Sequence, residues 1–167
     1  MMPSEFYTII RWLHVVCASA WYGEIVVINF ILIPTLSKYS GTDKKNLIND
    51  LFPKFFKLAS VLAASTIITG AYLLYHLIGF DFSLLKNRGS WGWSIMIAGS
   101  LGLILAIFHF FVEQSLSKRY KIGNANLAEN EIEDIHLKLK IVPRLGLLVI
   151  TFIFILMMNS THQLIGF

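Results

Sequence analysis

The chain has 167 residues, of which 56% are hydrophobic and only 14% carry a formal charge. Soluble domains carry about 25% charged residues, so the composition excludes an ordinary water-soluble fold and points to the lipid bilayer. The net charge of +4 comes from basic residues beside apolar runs, which reads as a topology signal and argues against a nucleic-acid partner. A single cysteine, Cys17, excludes an internal disulfide and any CxxC motif.

A hydrocarbon core of ~30 Å needs about 20 apolar residues of helix. Four segments meet that requirement. The first runs from about Trp12 to Ile33 and stops at Pro34. The second runs from about Leu58 to Phe80, the third from about Trp91 to Val112, and the fourth from about Leu145 to Ile165. The first is too long for the apolar region of a signal peptide and lacks a small-x-small cleavage site. No segment alternates as a strand would, and helices satisfy their own backbone hydrogen bonds in lipid. The predicted fold is all-α: an integral membrane, four-transmembrane-helix up-down bundle forming one domain over residues 1–167. Within the last connection, "LAENEIEDIHLKLKIV" has the pattern of an amphipathic surface helix.

Basic residues set the orientation. The end bearing both termini carries Arg11, Lys86 and Arg88. The other end carries Lys38, Lys44, Lys45, Lys54, Lys57, Lys118, Arg119, Lys121, Lys138, Lys140 and Arg144. The positive-inside rule therefore predicts cytoplasmic lysine-rich loops in a cell membrane, with the N- and C-termini outside. Trp12, Trp91 and Trp93 then fall at the outer interface.

Helical rise converts sequence position to depth. His14, His76 and His162 come from three different helices and fall in one layer, roughly 10–13 Å above the midplane. His14, Cys17, Trp21 and Glu24 or Ile25 share a face of the first helix. Thr66, Thr69, Tyr72 and His76 form a stripe on the second. Gly99, Gly102, Ala106, His109 and Glu113 align on the third, and Thr151, Ile155, Asn159 and His162 on the fourth. Polar residues avoid lipid, so these stripes are expected to face inward. Glu24 lies near mid-membrane, where a carboxylate is a functional candidate unless a tyrosine, threonine or tryptophan bonds it. His109 and Glu113 lie in the lysine-rich half, and with Glu24 they outline an ion or proton path. His136 falls in the polar connection and is expected to be solvated.

"WLHVVCASAWYGEIVVINFILIPTL" resembles the first helix of the copper resistance protein D (CopD) membrane domain, through Leu13, His14, Trp21, Gly23 and Pro34. Glu24 stands where that pattern has a second glycine. "FPKFFKLASVLAASTIITGAYLL" is similar to the second helix of that family through Thr69 and Gly70. "RGSWGWSIMIAGSLGLILAIFHFF" resembles the third through its Gly-Trp opening. A weaker similarity links the first helix to HemJ-type haem-associated proteins, but their third-helix lysine has no counterpart here. The CopD resemblance implies copper handling at the membrane.

Imidazole suits copper, zinc and haem iron alike. His14, His76 and His162 are candidate ligands for one copper ion, with Cys17 adding a soft thiolate. The alternative is haem b held by His76 and His162 across the bundle, in an electron-transfer cytochrome or oxidoreductase. A third reading makes the chain an accessory subunit of a larger membrane complex. Expected partners are the lipid bilayer, other membrane subunits, or a periplasmic or extracellular copper carrier. No P-loop, HExxH or Ser-His-Asp signature assigns a catalytic residue.

Overall fold

A computed structural model describes the backbone of residues 4–122 and 129–165, and the side chains of residues 5–115, 137 and 140–160. Among the described residues, six α-helices follow in order: α1 (Ser4–Val27), α2 (Ile33–Leu36), α3 (Gly41–Ile78), α4 (Ser83–Lys86), α5 (Gly89–Ile122) and α6 (Glu129–Ile165). Four stretches of the described residues are long and apolar enough to cross a membrane: Glu5–Leu36, Gly41–Ile78, Gly89–Ser115 and Lys140–Ser160. The protein is thus a multi-pass, all-helical bundle with four candidate spans.

The first span does not stop at Pro34. A π-turn, Ile28–Leu32, joins α1 directly to α2, with Ile33 N–H bonding Ile28 O five residues back. Proline in an α-helix collides with the carbonyl four residues earlier and lacks an amide hydrogen. The wider π-turn ends just before Pro34 and gives the ring room, so the helix carries on to Leu36.

The second helix begins at Gly41, well before the expected Leu58. Its added turns are amphipathic. Leu47, Ile48, Leu51, Phe52, Phe55 and Phe56 recur at helical spacing and pack on Ile28, Leu32, Ile33 and Leu36. Lys54 and Lys57 stay exposed on the opposite side. The proposed amphipathic surface helix is likewise the start of α6, continuous with the fourth span.

Between α3 and α5 the chain reverses tightly. Gly79 ends α3 at φ 60°, and Asp81 Oδ1 accepts hydrogen bonds from the Ser83 amide (3.0 Å) and hydroxyl (2.5 Å) to start α4. Leu85 then packs with Ile78 and Trp91. A Cβ at Gly92 would overlap the Leu85 carbonyl, so α5 can begin here only with glycine. Trp91 is therefore a core residue, with the Arg88 guanidinium over its ring at 5.2 Å. Trp12 and Trp93 are exposed on the bundle surface.

α1 lies along α3, α3 beside α5, α5 along α6, and α6 returns to α1 and the π-turn. The four long helices close a ring in which α3 and α6 occupy opposite corners. At its centre Trp21 meets Ala59 and Ala63 of α3, Ala106 of α5 and Ile150 of α6. Small residues on α3 and α5, with Ile150 of α6, let the bundle close around one indole.

Candidate functional site

The polar face of α1 is built as its spacing predicts. Cys17, Trp21 and Glu24 are buried and His14 is half-buried. His14 lies in the crevice between α1 and α3. Its Nδ1 is 3.0 Å from the Thr66 carbonyl and 3.2 Å from Thr69 Oγ1. A carbonyl only accepts, so Nδ1 carries the proton and donates to both oxygens. The Thr69 hydroxyl in turn donates back to Ser65 O at 2.6 Å. That assignment leaves the lone pair on Nε2. Gly70 makes room for the ring, since a Cβ there would stand 2.9 Å from His14 Cε1. Thr66 Oγ1 is also buried in this crevice and has no hydrogen-bond partner.

Cys17, the free thiol, follows one turn along the same face. Glu24 comes two turns further. It is only 6% exposed, and neither carboxylate oxygen has a hydrogen-bond partner. No tyrosine, threonine or tryptophan among the described residues bonds it. An ionised carboxylate in such a place calls for a cation, because its burial without one is costly.

A second polar group occupies the α3–α5 interface towards the lysine-rich end. Ser60 Oγ lies 3.0 Å from His109 Nε2 and also contacts Glu113 Oε2. The carboxylate accepts the serine hydroxyl, and His109 Nε2–H donates to Ser60 Oγ. Phe56 covers the imidazole, with ring centroids 6.0 Å apart. His109 and Glu113 are thus brought together. Ser60 is the link that the sequence did not single out, because a serine in an apolar helix carries no signal without its partners.

Asn29 was also missed, although an amide in mid-span, five residues past Glu24, was a usable sign. Its Nδ2 donates to Ile25 O (2.8 Å) and to Pro143 O of α6 (2.9 Å), tying the π-turn to the neighbouring helix.

Of the three histidines expected in one layer, the described side chains include those of His14 and His76. His76 is exposed at the rim, its ring 4.9 Å from that of Tyr7 and 6.3 Å from that of Tyr72. The side chains of His162 and His136 lie outside the described ones. Among the described residues, no three His, Cys, Asp or Glu side chains stand close enough to hold one metal ion. Two stripes need correction. Gly99 of α5 is exposed, and the buried face there runs through Trp91, Ser94, Ala98 and Ala106. On α6, Ile155 and Asn159 are exposed, whereas Ile150 and Ser160 are buried. The Ser160 hydroxyl donates to Leu156 O, so it needs no partner from another helix.

These features define a multi-pass membrane protein with polar groups held inside a four-helix bundle. Residues 16–124, well over half of the chain, match the family model described as Domain of unknown function (DUF4149), and the chain belongs to that family. No curated protein and no solved structure matches it.

Proposed function

We propose that the protein handles copper at the membrane, with His14 as the ligand that receives the ion. The observation that carries this reading is the fixed tautomer of His14. Histidines that bind metals donate their other ring N–H to a carbonyl or carboxylate, which orients the ring and leaves one nitrogen free to bind. The Thr66 carbonyl plays that part here. Cys17 offers a soft thiolate one turn on, suited to Cu(I). Passage of an ion needs several weak sites in sequence and not one closed cage. The likeness of the first three helices to the CopD membrane domain supports the same reading.

Haem b between His76 and His162 has less support, because His76 stands at the rim beside Tyr7. The accessory-subunit reading makes no use of the His14 geometry.

The test is copper movement into vesicles carrying the purified protein. The parent should exceed protein-free vesicles in copper uptake. His14→Ala should abolish the excess, and Cys17→Ser should reduce it for Cu(I). Equal uptake with parent and His14→Ala would overturn the proposal.

A further inference from the structure

We propose that Glu24 and the His109–Ser60–Glu113 chain form a proton path through the lysine-rich half of the bundle, a role independent of the copper reading. Three observations carry it. First, His109, Ser60 and Glu113 form one continuous hydrogen-bonded chain from an imidazole through a hydroxyl to a carboxylate. Second, Glu24 is a buried carboxylate with no donor on either oxygen. Third, both groups flank the same turn of α3. Ala59 packs with Trp21, one turn before Glu24, and the next residue, Ser60, bonds His109. Glu24 therefore approaches this level from α1, and His109 from α5.

The transfer balances without a co-reactant. A water molecule carries the proton from Glu24 to His109 Nδ1, since Glu24 itself bonds no group of the relay. His109 Nε2–H then passes to Ser60 Oγ, as the hydroxyl proton of Ser60 moves to Glu113 Oε2. Ser60 is regenerated, Glu24 is left as carboxylate, and Glu113 holds the proton for release at the lysine-rich end. Rotation of the imidazole and hydroxyl restores the starting hydrogen bonds. Phe56 packs against the imidazole, and Ser60 is the residue that hydrogen-bonds both titratable groups.

The experiment uses the full chain in phospholipid vesicles holding a pH-sensitive dye, with a proton gradient imposed and a potassium ionophore clamping the voltage. The parent should dissipate the gradient faster than protein-free vesicles. Ser60→Ala, Glu113→Gln and Glu24→Gln should each slow the protein-dependent rate by about tenfold or more. Ser60→Thr, which keeps a hydroxyl, should stay within about twofold of the parent. Glu113→Gln still accepts the serine hydrogen bond but holds no proton as an acid, so it separates proton transfer from folding. A parent rate equal to that of protein-free vesicles would overturn the proposal. So would an unchanged rate in folded Glu113→Gln or Glu24→Gln.

Discussion

His14 owes its tautomer to a single carbonyl and its position to a missing Cβ. Gly70→Ala should therefore displace the ring from Thr66 and lower copper binding about as much as His14→Ala does, although no ligand atom is removed. Copper retained per purified chain checks this, with full retention counting against the assigned geometry. Glu24 behaves differently. Neither of its oxygens has a partner, so Glu24→Leu forfeits no hydrogen bond and relieves buried polarity. It should raise stability by about 1–3 kcal/mol, read as a higher unfolding temperature in detergent. A lower unfolding temperature would mean that the carboxylate is held by something the fold depends on. Such a gain at a residue needed for function is the usual trade between stability and activity.

The helices were legible in number and nature, but less so in extent. Pro34 read as a stop because a regular α-helix cannot accommodate it. The π-turn that lets the helix continue is a property of the backbone and leaves no mark on residue type. The amphipathic start of α3 did carry its pattern from Leu47 to Phe56, but lysines and Pro53 within it resembled a loop. The faces of α1 were legible because His14, Cys17 and Glu24 coincide with its packing side. On α6 the polar residues misled: Asn159 is exposed, and packing instead selected Ile150 and Ser160. The α4–α5 connection gives a sharp test at this scale. Gly92→Ala should cost about 1–3 kcal/mol, because the new methyl meets the Leu85 backbone, which has little room to move. Gly99→Ala meets nothing within 4 Å and should be neutral or stabilising in the same unfolding assay.

Across the whole molecule, four helices close around Trp21, and the polar groups divide between two regions. The His14 crevice lies between α1 and α3, and the Ser60 relay lies between α3 and α5 towards the lysine-rich end. What this does for a cell depends on orientation. The basic residues predict that cysteines introduced at Ser4 and Asn87 will react with an impermeant reagent added outside intact cells, and that those at Lys44 and Asn126 will not. The opposite pattern would place the His14 end in the cytoplasm and make it a receiver of cytosolic copper. The relay and the His14 crevice were unequally visible beforehand. Histidine and glutamate within apolar runs announce themselves, but the juxtaposition of Ser60 with His109 and Glu113 depends on the packing of α3 against α5.

The claim that His14 receives copper is tested most directly by elemental analysis and a visible spectrum of the purified protein after copper loading and removal of free metal. The account predicts copper bound to the parent and to His136→Ala, loss of that copper in His14→Ala, and no Soret band in any of them. Copper retained undiminished by His14→Ala, or a Soret band that shifts on reduction in the parent, would contradict it.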